Sequence, residues 1–454
     1  RMSMQAGMLV LGSVMILHGF FGPQLAPENL ATLLTWVHYR GVLILVLLVA
    51  GNFFCMACPF MLPRELARWL DTPKWNWPRM LRNKWLAVAL FAAILFGYEL
   101  FDLWGNPWWT AWLIVAYFVG ALLVDALFKH ASFCKYVCPI GQFNFVTSTV
   151  SPMEVAVNDP AVCAECETVD CIKGTRDPED RDHVLQRGCE LALFQPEKVG
   201  NMDCTFCLDC VYACPHDNIG INTRVPGTEL WSDEQRSGVG RFSHRSDISA
   251  LAILFTFGAL LNAFGMVSPV YALQAWLADL MNTTMEAPVL GVLFFAGLVL
   301  EPAILLGGAA HWTRSVVHTD QSILGIIGRF SYALIPIGVG VWAAHYSFHM
   351  LTGIWAIVPV VQEMLQDVGI GLLGEPMYQL TGLPKAYVYP LQIGMIGLGV
   401  VGSIGVAQQI ADREYGNDGL SAVLPWAILV LILGVAAVWL LSQPMEMRGT
   451  FLGS

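Results

Sequence analysis

Eight cysteines fall between Cys163 and Cys214, the last four as Cys204-x2-Cys207-x2-Cys210-x3-Cys214-Pro215. Three thiolates on one short loop can hold three corners of an iron–sulfur cubane, and in this run the fourth cysteine ligates the other cluster of a pair. A zinc site would use two CxxC pairs and would not need the x2-x2-x3 spacing. Cross-ligation therefore assigns Cys163, Cys166, Cys171 and Cys214 to one cluster, and Cys189, Cys204, Cys207 and Cys210 to the other. The first half departs from the standard run: four residues separate Cys166 from Cys171, and Cys189 lies far downstream with no proline after it. Two [4Fe–4S] clusters are expected, with a [3Fe–4S] centre as the alternative at the first position.

Four further cysteines form a repeat, Cys55-x2-Cys58-Pro59 and Cys134-x3-Cys138-Pro139. Each pair closes a hairpin of apolar stretches with a proline that cannot continue a helix. Thiols delivered to one membrane depth could share a third metal centre. They could instead be a redox-active dithiol pair, since such spacing lowers a thiol pKa, or small residues that pack the hairpins.

The elements that must position these thiols are mostly membrane helices. The 454 residues are 56% hydrophobic and 13% charged, about half the charge of a soluble domain. Runs long enough to span a bilayer lie near 4–21, 36–54, 85–102, 109–128, 248–267, 288–307, 331–349, 387–408 and 423–441, nine in all, while 350–384 reads as interfacial or re-entrant. Arg64, Arg68, Lys74, Arg79, Arg82 and Lys84 in one loop, and eleven Lys and Arg in 129–247, contrast with the alternate loops, which hold only Lys385, and with Arg448 in the tail. By the positive-inside rule the cysteine segment and the N-terminus are cytoplasmic and the C-terminus lies outside, in an inner (cytoplasmic) membrane. No cleavable signal peptide is evident. The segment 151–247 has eighteen Asp and Glu against nine Lys and Arg, which suits a basic or metal-associated redox partner or serves solubility.

The topology also sets His18, His38, His345 and His349 at similar depth on the non-cytoplasmic side, with Arg40 nearby. Imidazoles suit haem iron or copper, and a guanidinium suits a propionate or a quinone oxygen. A haem b or a quinol pocket is one expectation; hydrogen bonds to neighbouring helices are the other. Glu99, Asp102 and Glu301 are ionisable groups at membrane depth. Met2, Met4, Met8, Met445 and Met447 offer thioethers for copper, or are ordinary apolar bulk. Trp104, Trp108, Trp109 and Trp112 read as an interfacial belt. No phosphate loop, nucleophile elbow or nucleic-acid patch is present.

From about residue 36 to 225 the tandem Cys-Pro hairpins and the two-cluster run resemble the membrane-bound polyferredoxins of the NapH, NosR and CcoG group. The resemblance implies electron transfer between the quinone pool, or another membrane donor, and redox partners, with copper handling in CcoG-like members. The FMN-binding domain of NosR-like members and the immunoglobulin-like tail of CcoG-like members have no counterpart in these residues, and the spans of 248–441 are unexplained by the group. The expected fold is an all-α polytopic membrane protein with an inserted α+β dicluster ferredoxin-like domain. Residues 1–150 form a four-helix membrane domain, 151–247 the ferredoxin-like domain, and 248–454 a second membrane domain. The expected function is iron–sulfur electron transfer between the membrane and a cytoplasmic redox protein. A metal (copper) reductase or assembly factor, and an electron-wiring, docking subunit of a larger complex, are the rivals.

Overall fold

A computed structural model describes residues 1–70, 72, 75–180 and 183–444; Lys74, Met445, Met447 and Arg448 lie outside the described residues. The chain is mainly helical, with two small two-stranded sheets. Among the described residues, seven segments are long and apolar enough to cross a membrane: Met2–Phe21, Leu30–Ala50, Pro107–Leu127, Ser246–Phe264, Glu286–Val317, Ile323–Thr352 and Lys385–Ser442. The count differs from nine for two reasons. Trp85–Leu100 is apolar but only 16 residues long, and Lys385–Ser442 is one apolar stretch folded as two helices, Lys385–Tyr415 and Gly419–Ser442. The ambiguous stretch 350–384 carries an 11-residue helix, Ile357–Asp367, too short to span.

Two compact units emerge. The first comprises Arg1–Met8, Val46–Leu90 and Tyr117–Leu251, and holds all twelve cysteines. Within it, β1 (Met153–Val157) pairs antiparallel with β4 (Ile219–Thr223), so that Val155 faces Ile221 and Val157 faces Ile219. This ladder brackets the eight-cysteine segment at its base. A short hairpin, β2 (Thr175–Arg176) and β3 (Val184–Gln186), lies between Cys171 and Cys189. Val155, Leu191, Leu193, Phe206 and Ile219 bury their side chains around Cys171, Cys189, Cys204 and Cys210, so the core of this unit is built on its thiols.

The second unit comprises Leu9–Leu45, Phe91–Ala116 and Ala252–Ser454. Its helices Ile335–Thr352 and Lys385–Tyr415 approach closely where Gly340 meets Gly399: a Cβ on Gly340 would lie 2.8 Å from the Met395 carbonyl. Small residues at such a crossing let two backbones touch, as is usual between membrane helices.

Candidate metal centres

The two Cys-Pro motifs are built alike, with one instructive difference. Cys58 and Cys138 both have extended backbone (φ −62°, ψ 125° and φ −65°, ψ 112°), as the residue before a proline must. Pro59 and Pro139 then occupy the first position of the next helix, where a missing N–H costs nothing. The prolines thus restart helices as well as stop them. The second motif has one more residue between its cysteines, and a π-helical turn, Phe133–Val137, absorbs it. The Cys138 N–H accordingly reaches back five residues to the Phe133 carbonyl, whereas the Cys58 N–H reaches three, to Cys55.

These four thiols come together. Cys58 lies within electrostatic reach of Cys55, Cys134 and Cys138, and Cys55 of Cys138. None is in a disulfide. Asn144 donates its amide to Cys55 Sγ at 3.2 Å, and the Gly141 N–H points to Cys138 Sγ at 3.2 Å. The spacing alone suggested lowered thiol pKa values. Burial has the opposite effect, pushing Cys58 up to about 11 and Cys138 up to about 12. Buried, protonated thiols suit metal uptake, which supplies the charge that stabilises thiolate and releases the protons, better than they suit nucleophilic dithiol exchange.

The eight remaining cysteines fall into two neighbourhoods. Cys163, Cys166, Cys171 and Cys214 line one cavity of ≈ 350 Å³, part of it open to solvent, together with Ile219 and Phe194. Asn218 donates its amide to Cys163 Sγ at 3.3 Å and its backbone N–H to Cys214 Sγ at 3.4 Å. The backbone N–H of Val169 holds the half-buried Cys166 thiol below its ordinary pKa. In the second neighbourhood Cys204 is within electrostatic reach of Cys189 and Cys210, and Cys189 of Cys207. The Leu193 N–H lies 3.4 Å from Cys189 Sγ, and burial pushes that thiol up to about 11. The two neighbourhoods adjoin through the Cys189 N–H, which bonds the Cys171 carbonyl at 2.8 Å.

The loops that carry these thiols are wound tightly. Asp203, Phe206 and Leu208 adopt left-handed backbone (φ 63°, 54° and 63°), as does Val169 (φ 49°) beside Cys171. Side chains other than glycine pay for that conformation, Val above all. With N–H groups directed at sulfur in each set, the residues fit thiolate-ligated iron–sulfur clusters.

Lysines and arginines that the sequence offers as topology markers hold these loops, together with Asn52, Glu229 and Glu190. Lys84, 1% exposed, bonds Asp203 at 2.5 Å and the Lys135 carbonyl at 2.7 Å. Lys135 reaches the Leu191 carbonyl at 2.9 Å. Asn52 donates to the Cys204 carbonyl at 2.7 Å. Glu229 is fully buried and accepts from the N–H groups of Asn201 (2.7 Å) and Met202 (3.2 Å) and from Arg224 (2.8 Å). Glu190, beside Cys189, binds Arg64, with Arg68 at 3.2 Å and Arg1 at 3.3 Å. The signal that was available is the placement of Arg64 and Arg68 one turn apart, directly after Cys58-Pro59. Glu190, Cys207 and Asp209 also cluster, but Arg1 pairs with Asp209 at 2.8 Å and the arginines saturate Glu190, so that group is an ion-pair network.

The histidine set lies in the second unit. The Leu30 N–H bonds His18 Nδ1 at 3.1 Å. His38 places its ring nitrogens 3.3 Å from the Leu33 carbonyl and 3.1 Å from the Ile354 carbonyl. The His345 and His349 rings are buried 5.1 Å apart. Arg40 is enclosed by the rings of Trp36, Tyr98 and Tyr346 at 4.3, 4.6 and 5.0 Å, a cation–π cage. Glu99 lines a small cavity with Asn262 and Phe294. Asp102 has left-handed backbone (φ 45°), and Glu301 is exposed immediately after a π turn, Ala296–Leu300.

Comparison with known proteins places the chain in context. It is 30% identical over 211 residues to the ferredoxin-type protein NapH of Escherichia coli, covering 43% of this chain and 68% of NapH. It is 25% identical over 220 residues to the NapH of Haemophilus influenzae, covering 44% and 72%. With the regulatory protein NosR of Pseudomonas aeruginosa it shares 29% identity over 187 residues, spanning 36% of this chain but only 24% of NosR. No family model matches the chain, and no solved structure matches it.

Proposed function

This chain belongs to the family of membrane-associated ferredoxin-type electron-transport proteins, and from that membership we propose that it carries electrons between the membrane and a soluble redox partner through two [4Fe–4S] clusters. Cys163, Cys166, Cys171 and Cys214 would hold one, and Cys189, Cys204, Cys207 and Cys210 the other. Each cluster, when bound, supplies one-electron redox chemistry at a potential set by its hydrogen bonds and burial. The observation that carries this reading is the convergence of four cysteines, including the distant Cys214, on one cavity. The β1–β4 ladder around all eight thiols supports a ferredoxin-like insert at 151–247.

The chain's own residues do the rest. Asn218 orients Cys163 and Cys214, and Lys84, Lys135 and Asn52 fix the loops of Cys204 and Cys189. Arg1, just before the first helix, pairs with Asp209, which supports placing that end of the helix on the same, cytoplasmic, side as the cluster segment. The acidic balance of 151–247 favours a basic partner surface. In the second unit, the ring nitrogens of His38 lie against the Leu33 and Ile354 carbonyls and His18 Nδ1 accepts from the Leu30 N–H, which favours hydrogen bonding between neighbouring segments over a haem b or quinol pocket involving His18, His38, Arg40, His345 and His349.

Anaerobically purified full-length protein should contain about eight iron atoms in these clusters. Cys207→Ser should abolish one low-temperature EPR signal and leave most of the second. Iron-free protein that stays colourless after reconstitution with ferrous iron and sulfide refutes the reading; copper bound in its place favours a copper reductase, and instability outside a larger complex a docking subunit. A purified protein without a Soret band removes haem, and unchanged reduction by quinol after His38→Ala and His349→Ala removes the quinol pocket.

A further inference from the structure

The four thiols of the Cys-Pro motifs are not needed by either ferredoxin-type cluster, yet the protein invests a buried charge beside them. Arg64 is 2% exposed. Its Nη2 is bonded to Glu190, while among the described residues its Nε–H and Nη1–H have no hydrogen-bond partner. Within its electrostatic reach lie Glu190, Asp125, Cys134, Glu65 and Cys58. Asp125 is itself engaged, accepting from the Phe133 N–H of the π turn at 3.0 Å. A guanidinium buried with two idle N–H groups is costly unless something negative completes its surroundings.

A second, independent observation comes from Asn52, which is fully buried. Its Oδ1 accepts from the Cys55 thiol at 3.9 Å and its Nδ2 donates to the Cys204 carbonyl at 2.7 Å. One side chain therefore joins the four-thiol site to the Cys189, Cys204, Cys207 and Cys210 set, and Cys55 lies within electrostatic reach of Cys204.

We propose that Cys55, Cys58, Cys134 and Cys138 ligate a third iron–sulfur cluster, with Arg64 as its fixed counter-charge and Asn52 as its link to the neighbouring thiol set. The inference rests on the electron-transfer reading above. Four thiolates around iron carry net negative charge, and the idle N–H groups of Arg64 meet it. Asn144 and the Gly141 N–H already point at two of the four sulfurs, as donors do in such sites. Reduction adds one electron and no proton, so a guanidinium that never deprotonates stabilises the reduced form and raises the potential.

The test uses full-length protein purified anaerobically in detergent, reconstituted with ferrous iron and sulfide, and titrated with dithionite. Wild-type protein should hold more iron than the roughly eight atoms of two cubanes and show a third EPR component. The double variant Cys58→Ser, Cys138→Ser should lose that excess and that component alone. Arg64→Met should shift the third component's midpoint to more negative potential, and Arg64→Lys should restore most of the shift. Iron near eight atoms in wild type with no third component overturns the proposal, whether or not the double variant accumulates. So does zinc or copper held stoichiometrically by the four thiols, or a midpoint unmoved by Arg64→Met. Loss of a signal in Cys207→Ser keeps the two-cluster reading standing in each of these cases, so the two failures are distinguishable.

Discussion

Replacing Glu229 by Gln should destabilise the cysteine-bearing unit far more than replacing Glu154 by Gln, although both carboxylates face Arg224. Glu229 is fully buried and accepts from Asn201 N–H at 2.7 Å, Met202 N–H at 3.2 Å and Arg224 at 2.8 Å, with Arg236 at 3.6 Å. A glutamine keeps one acceptor oxygen and turns an NH2 group toward donors. Hydrogen bonds to a charged group contribute about 1.5–3 kcal/mol each, and removing one partner of a buried pair costs about 3–5 kcal/mol. A loss of about 4 kcal/mol lowers Tm by roughly 8–16 °C for a body of 150–250 residues. Glu154 stands 3.6 Å from Arg224 with its side chain 19% exposed, so its loss should stay within about 1 kcal/mol. The assay is tryptophan-monitored thermal unfolding in detergent at a single scan rate, with visible absorption following the iron–sulfur chromophore. Because Glu229 clamps the Asn201–Met202 turn two residues before Cys204, bleaching should advance together with unfolding in Glu229→Gln. Equal shifts in the two variants, or a Glu229→Gln shift under about 3 °C, would refute the reasoning.

Three further outcomes follow from the same geometry. Lys84→Met strands the buried Asp203 carboxylate and should cost about 3–5 kcal/mol, read as a lower Tm and reduced iron per chain. Gly51→Ala places a Cβ at φ 56°, 2.8 Å from the Phe206 ring, and should cost about 1–3 kcal/mol, measurable as a lower Tm in the same assay. Arg187→Gln removes a more exposed pair with Glu65 (2.5 Å, side chain 43% exposed) and should change Tm by no more than the error of the scan, about 1 kcal/mol at most.

Cysteine spacing and apolar run length were the legible parts, because both are local patterns with fixed geometry. The run around Cys204 announced itself, and the apolar stretches located every long helix. Length thresholds were less legible: Trp85–Leu100 stops at Leu100 because Phe101–Gly105 turns with Asp102 in left-handed backbone, which hydropathy alone does not register. The roles of charged residues were hidden for another reason. Arg64, Lys84 and Lys135 were counted only as markers of orientation, yet each is buried against a partner more than fifty residues away. Composition reports that a lysine exists; only the fold reports which carbonyl it meets. Burial sets the pKa of the Cys-Pro thiols, and motif spacing carries no information about burial. Arg40 reads equally well as a ligand for an anion or as the filling of an aromatic cage, and the rings of Tyr98 and Tyr346 are too distant in sequence to favour the second beforehand.

The supports of the second thiol set bear on how its assembly can be studied. The donor to the Cys204 carbonyl is Asn52, the cation for Asp203 is Lys84, and the donor to the Leu191 carbonyl is Lys135. All three precede residue 151, on the two hairpins that end in Cys-Pro. A peptide cut at 151 and 247 would keep all eight cysteines while losing every one of these struts, leaving one carboxylate and two carbonyls to find water. Minimal-fragment strategies that succeed for free-standing ferredoxins are therefore ill suited to this chain. Here the shape of a cluster-binding loop is a joint product of the loop and of hairpins already folded, and biogenesis studies should begin from the inserted whole.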